Sequence, residues 1–561
     1  MRLAPIALAS ALGAYAAPGK SAQSMQPGIE SAKLNAYHIF NAVHAVGRQW
    51  DSSILHNGFS FVPTVVPKGT ILYHGSRQQT KPEMPEWLAF EIEHAENFAR
   101  SGKRRRRPGP PGPPPKDDDG GFDTEKQTVM SSLRERNLHG GDGDDDDDDE
   151  PAKYVRGYLH TYQAPEDLNL ILIDGMSAGK VDMGTLDSQD YVLREKPDRG
   201  GDGFDEWPRA QEICDMVTEW GYEGVIRLEI GFEIILCDFN NVNLISATRT
   251  FIRGRTYLQD LQLDLFQWAR AVGQRYDGIG GDRVRFDFSS MVSGYFFPIN
   301  ISSTNPQRPD LIRLGANPTK DLKSIKDHLQ AVLSKPRRFT VKWQAVVDMI
   351  VTRFKDRFAY MASASITPDH FEGELDVATF LYANAPSTPD DISIATPKVN
   401  LSTTEEAIDR CASHYLLPAL LLKDQWSSED ELLYAAIRQV MEDICYNMFT
   451  IWEFFPDDKL RPDNGEVPGD DDDDRDETRQ QAFEAGRQLI RDMMSDLNWP
   501  AWKKTSPCPV NEVLFVAMWP FGDEEDHWNP GCRTIDDLQI PRGNYWGLRL
   551  HEIGHRDGLE L

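Results

Sequence analysis

Two acidic runs limit what this chain can bury. Asp142, Asp144–Asp149 and Glu150 make the first, and Asp470–Asp474 with Asp476 and Glu477 make the second. Like charges set that closely repel one another and bring no apolar surface, so neither run can offset the entropy of being ordered. A third stretch of this kind, KRRRRPGPPGPPPKDDDGG, begins at Lys103. Residues 101–151 therefore read as a disordered insertion in a loop, and 462–477 as a disordered acidic linker. The two acidic runs hold eight and seven negatives, fifteen against a net charge of −29, so the foldable remainder is only moderately acidic. Such a surface disfavours nucleic acid, whose phosphates require clustered Lys and Arg.

The rest of the 561 residues, 40% apolar and with 13 Trp, can bury more than one core. The opening MRLAPIALASALGAYAA has a basic Arg2, a short apolar run and a small-x-small site at Ala14-Tyr15-Ala16, the pattern of a signal peptide over 1–17. No later segment has about 18 consecutive apolar residues, so no membrane span is expected and the chain reads as secreted and extracellular. Six cysteines and the glycosylation sequons at Asn300 and Asn400 agree with export. Residues 18–61 form an N-terminal helical segment, helical in spacing over 36–46. From 62 to 250 strands dominate, at 157–162, 168–173, 224–229 and 231–239, with a helix over 207–221. From 251 to 461 the pattern is mainly helical, notably at 322–333, 343–360, 405–422 and 428–454, and 478–561 is a helix followed by a Cys/Trp-rich C-terminal segment. The fold class expected is α+β: a small mixed sheet lobe, then a mainly helical lobe, then the Cys/Trp-rich segment. Cys411 and Cys445, both in helices, are natural partners, Cys508 and Cys532 flank an apolar strand, and Cys214 and Cys237 either pair or stay as buried thiols.

Within the first lobe, Ile71-Leu72-Tyr73 delivers His74 and Gly75 as a strand ending in a turn. Trp87-Leu88-Ala89-Phe90 then reads as a strand and Glu91 to Arg100 as a helix with acidic residues near its start. Far downstream, Glu233 opens a strongly apolar strand. These three pieces resemble the ADP-ribosyltransferase-like fold in its His-Tyr-Glu form, over about Lys68 to Asn240. The resemblance implies that His74 holds the ribose of NAD, that Phe90 or Tyr73 stacks on the nicotinamide beside Gly75, and that Glu233 supports an oxocarbenium-like transition state. It also implies NAD as substrate and a protein or small-molecule acceptor of ADP-ribose as partner. Gly231 stands two before Glu233, so the acidic pair of arginine-modifying members is absent. The whole chain also resembles a set of uncharacterised secreted proteins of filamentous fungi, which implies export and no particular activity.

Other motifs carry less. His551-Glu552-Ile553-Gly554-His555 puts two His on one helical face with a Glu able to act as base, as in a zinc peptidase. The third metzincin His would fall at Leu561, so a metal is not favoured. Asp174-Gly175-Met176-Ser177-Ala178-Gly179-Lys180 fails the phosphate-loop spacing and reads as a tight turn lining the same cleft as His74. Glu91, Glu93 and Glu96 read as a solvated helix start, and no Gly-x-Ser-x-Gly elbow occurs. Three classes of function follow: an NAD-dependent transferase-like or NAD-cleaving enzyme, a zinc peptidase, and a non-enzymatic secreted protein that keeps the fold.

Overall fold

The computed structural model describes residues 25–102, 154–179, 183–196, 206–250, 266–273, 278–302, 311–383, 401–455, 472–504, 508–516, 526, 529–537, 544–545 and 548–549. The expected signal peptide, most of the 101–151 insertion, Asn400, Lys180 and the His551/Glu552/His555 motif lie outside these residues.

Three short helices open the described chain: α1 (Ile29–Leu34), α2 (Ala36–Ala45) and α3 (Gln49–Ile54). The strands β1 (Asn57–Val66), β2 (Ile71–Ser76) and β3 (Glu86–Ala89) follow, then α4 (Ile92–Glu96), β4 (Arg100–Gly102), β5 (Tyr154–Arg156), β6 (Tyr158–Gln163) and β7 (Leu168–Gly175). Next come α5 (Glu206–Glu219), β8 (Gly224–Glu229), β9 (Gly231–Leu236), β10 (Asn243–Arg249) and two short strands, β11 (Arg285–Phe286) and β12 (Val292–Ser293). The later helices are α6 (Thr319–Leu333), α7 (Trp343–Ala362), α8 (Pro368–Thr379), α9 (Leu401–His414), α10 (Leu417–Leu420), α11 (Ser428–Phe454) and α12 (Asp472–Leu497).

The fold is α+β. A curled, half-barrel sheet runs β10-β6-β2-β3-β9-β8-β7-β1-β11, with β12 also on β1. Among the described residues of this sheet only β7 and β8 pair in parallel; the other ladders are antiparallel. Strands β8 and β9 are buried at every position, which is why they read as unbroken apolar runs: elements cover both of their faces. One continuous core joins α1–α3, the sheet and the later helices, and Trp50, Phe61, Trp268, Trp343, Phe354 and Trp499 all lie fully buried in it. The expected division near residue 61 falls within β1, where Phe61 and Val62 are fully buried.

The sheet is larger than expected because it takes strands from outside 62–250. It starts at Asn57, inside the segment read as helical, and gains β11 and β12 from beyond 250. Three local differences also have plain causes. The helix expected over 405–422 breaks after His414 and restarts at Leu417, where Pro418 has no N–H to continue a helix but fits a first turn. Helix α12 begins at Asp472, inside the expected acidic linker, as the helix dipole allows. The base of the 101–151 insertion is a ladder, β4 on β5. Helix α11 matches its expected bounds and is closed by a capping box between Ser427 and Asp430.

All six cysteines are paired: Cys214–Cys237, Cys411–Cys445 and Cys508–Cys532. Three disulfides are compatible with an oxidising, exported setting. Among the described residues no helix is long and apolar enough to cross a membrane.

Candidate functional site

Residues directly opposite in an antiparallel ladder share a face, and successive residues of a strand alternate between faces. Tyr73 lies opposite Ala89, Ala89 opposite Glu233, and Glu233 opposite Arg227. These four side chains leave one face of the sheet. His74, the next residue of β2, leaves the other and lies opposite His160. Contacts agree with the register. Trp87, on Glu233's face, packs edge-on against Trp207 of α5 at 4.9 Å between ring centres, whereas His74 meets His160 and Phe239. The expected convergence of His74 and Glu233 on one cleft is therefore corrected.

Each residue is committed to its own surroundings. Glu233 Oε1 accepts from Arg227 Nη2 at 2.6 Å, and the same nitrogen reaches Glu206 Oε2 at 2.7 Å. Arg227 is fully buried and also donates to Gln189. Burial opposes its charge, but Glu206 and Glu233 outweigh burial and hold the guanidinium above its usual range. Arg209 extends the network from Glu206 to Asp190, which Arg194 also contacts. A carboxylate so enclosed is held inside the fold by its ion pair with Arg227.

His74 donates from Nδ1 to the Trp87 carbonyl at 2.7 Å, and burial pushes its pKa down to about 4, so the ring is neutral. His160, which no sequence pattern singled out, donates from Nε2 to the Gln78 carbonyl and accepts at Nδ1 from the Tyr162 hydroxyl.

The remaining expected site residues have structural roles as well. A Cβ on Gly75 would fall 2.2 Å from the Ala95 carbonyl oxygen and 2.5 Å from the Ala99 nitrogen, so the glycine lets the α4 segment close on β2. Phe90 is buried, with the Arg283 guanidinium 5.8 Å from its ring centre. Glu91 is buried and paired to Arg283 at 2.8 Å, which corrects its reading as part of a solvated helix start.

The sheet does assemble a polar cavity elsewhere, of about 70 Å³, at the end of β7. Asp174, His56, Asn41 and Asn57 border it, together with His38, Tyr295 and Lys503. The Asp174 turn is tight, as expected: Gly175 sits at φ +69°, and Gly179 donates to the Met176 carbonyl. It lines this cavity, however, and belongs to a strand four positions from β2 in the sheet. Gly58 and Gly175 make the approach possible, since a Cβ on Gly58 would meet the Asp174 backbone at 2.5 Å. Burial pushes the Asp174 carboxyl up to about 6, against the Gly175 N–H and the Ser60 hydroxyl. Burial also lowers His38, whose ring stacks on Tyr295 with centres 5.1 Å apart. Asn41 donates its amide to the Leu497 carbonyl, and Asn57 donates to those of Met183 and Ile312. Both carboxamide oxygens are buried without a hydrogen-bond partner. Asp174 stood within a stretch that the sequence marked as a turn. Asn41, Asn57, Tyr295 and Lys503 gave no local signal, because they meet only through long-range packing.

The stretch from α1 to β10, which supplies all but the two short strands β11 and β12 of the sheet, falls in a region that resembles known sequences. Residues 30–259 match the family described as the YPL277C N-terminal domain. Two proteins of Saccharomyces cerevisiae are similar over 223 residues, or 38% of this chain. Uncharacterized protein YOR389W is 33% identical, with 33% of its length covered, and uncharacterized protein YPL277C is 36% identical, with 42% covered. The chain thus spans between a third and a half of the length of the curated relatives it matches. No solved structure matches.

Proposed function

We propose that this chain is a secreted protein that binds a small polar molecule in the Asp174 cavity, with the sheet as its scaffold and no chemistry from His74 and Glu233. The supporting observation is the cavity wall: Asp174, His56, Asn41 and Asn57 are each more than nine-tenths buried, yet border open space. Buried polar groups are ordinarily satisfied by protein, so a polar wall around a cavity suits a ligand or water. Export is supported by the three disulfides and by Asn300, whose sequon is exposed. A thermal-shift panel of small alcohols, amines and acids tests the binding role. At least one member should raise the melting temperature saturably, and Ala42→Leu, which adds bulk at another residue bordering the cavity, should abolish that rise. A panel without any saturable member would sink the reading.

NAD cleavage is the competing proposal and rests on the strand motifs around His74 and Glu233. Isothermal titration with NAD addresses it directly. Saturable heat, with turnover lost in Glu233→Gln, would favour the enzyme; absence of both favours the binding protein.

A further inference from the structure

The side chain of Asn300, first residue of the sequon Asn300-Ile301-Ser302, is held in one particular way. Its oxygen accepts from the Ser302 N–H at 2.9 Å and from the Ser302 hydroxyl at 2.6 Å. This is an Asx turn, in which the side chain takes the place of a backbone carbonyl. A backbone N–H can only donate, so the amide atom it meets is the oxygen, and the position of the nitrogen follows. Both acceptor sites of that oxygen are then used. The Asn300 Nδ2 makes no hydrogen bond among the described residues, and the residue is exposed.

The backbone beneath it is anchored. Asn300 N–H donates to Asn317 Oδ1 at 2.8 Å, and the Asn317 amide donates back to the Asn300 carbonyl at 2.6 Å. Ile299 and Ile301, on either side, are half-buried against the core and keep Asn300 at the surface. Every polar group of Asn300 except Nδ2 is therefore engaged within the protein.

Asn317 supplies an internal contrast. Asn317-Pro318-Thr319 also has a hydroxyl residue two positions on, but Pro318 breaks the sequon. The Asn317 Nδ2 is committed to the Asn300 and Leu314 carbonyls, and its oxygen takes a backbone N–H rather than the Thr319 hydroxyl. Two asparagines in contact thus differ in the one atom that a glycosyl group would join.

We propose that Asn300 is N-glycosylated, receiving its glycan during export from an oligosaccharide linked to a lipid through pyrophosphate. The bond from Nδ2 to the first carbon of the sugar forms as the bond from that carbon to the pyrophosphate oxygen breaks. The lipid pyrophosphate leaves with the electron pair, and Nδ2 gives up one proton. Hydrogen bonds to Oδ1 draw electron density toward the oxygen and make that proton easier to lose. The Asx turn involves only Asn300 and Ser302, so it needs no distant partner and can form before the chain has folded. The exposed position then leaves room for a bulky, solubilising group. The proposal goes beyond ligand binding and rests only on the export part of that reading.

The full-length protein, produced in a eukaryotic host that glycosylates its exported proteins, tests this by peptide mapping. Enzymatic deglycosylation converts a glycan-bearing Asn to Asp. Mass spectrometry of protein from the medium should show that conversion at Asn300 and not at Asn317, and an untreated sample should be depleted of the unmodified Asn300 peptide. Ser302→Ala should leave Asn300 unmodified, whereas Ser302→Thr, which keeps the hydroxyl, should retain the glycan. The mapping is made on the unmutated protein, so a variant that fails to fold does not affect it. An unmodified Asn300 in protein recovered from the medium overturns the proposal and leaves export standing. Protein retained in the cell with Asn300 unmodified overturns both.

Discussion

The Arg227 cluster and the Asp174 cavity are both buried and both polar, on the same sheet, and they come to opposite ends. In the cluster every carboxylate has a guanidinium within 3.3 Å, and α5 supplies Glu206 and Arg209 to it. At the cavity Asp174 accepts the Gly175 N–H and forms no ion pair among the described residues, although Lys503 also borders the space, and the Asn41 and Asn57 carboxamide oxygens are buried without a hydrogen-bond partner. Paired charge is the signature of structure, because its energy is already spent inside the fold. Buried acceptors left short of donors indicate a place where something else completes the bonding. The expected catalytic Glu233 belongs to the first kind, and Asp174, read as a turn residue, belongs to the second.

The comparison is broken most severely at Arg227. Arg227→Met strands Glu206 and Glu233 as buried, unpaired carboxylates, and urea unfolding should show a loss of about 3–5 kcal/mol. A loss below about 1 kcal/mol would mean that the cluster carries no charge pairing worth the name. The Cys214–Cys237 bridge ties α5, which supplies Glu206 and Arg209, to the end of β9 across a separation of 23 residues. Replacing both cysteines with serine should cost roughly 3 kcal/mol by the chain-entropy relation. An unchanged denaturation midpoint would count against that role.

Asp174→Asn should act in the opposite direction. Its folded pKa of about 6 lies above the ordinary 3.8, so the folded state holds a proton that the unfolded state has lost within that window. Wild-type stability therefore falls as pH rises from about 4 to 6, and the penalty is fully present above. The variant should be more stable by the order of 1 kcal/mol near pH 8 and indistinguishable near pH 4. A variant less stable than wild type at pH 8 would show that the carboxylate is already compensated. The smallest effect belongs to Glu86, which keeps part of its surface in water at the start of β3. Burial pushes it up to about 8 from 4.5, against the Trp87 N–H. Glu86→Gln should raise the melting temperature slightly above pH 8 and not at all near pH 4, and parallel melting curves at both pH values would refute this.

Much of the fold was legible in the sequence. The bounds of α11, the apolar runs of β7 to β9 and the α+β class all follow from local pattern, whereas the even set of cysteines suggested disulfides whose pairing only the structure decides. Periodicity reports how a segment hides its apolar side, and that is a property of the segment itself. The candidate site was legible only as separate residues. His74, Tyr73 and Glu233 were placed on strands, as they are, yet side-chain direction along a strand reverses with each residue. Which residue of β2 stands opposite which residue of β3 is therefore a one-residue question with a two-sided answer, and β3 to β9 adds another.

The sequence by itself determined most of the elements and the even set of cysteines, because each of these depends on neighbours along the chain. Tertiary structure alone decided that Tyr73 rather than His74 shares a face with Glu233, and that Arg227 closes on that carboxylate. It alone brought Asn41, Asn57, Asp174, Tyr295 and Lys503 around one space. Those residues are separated by up to several hundred positions, and only packing in three dimensions sets whether a buried oxygen meets a donor, a cation or a cavity.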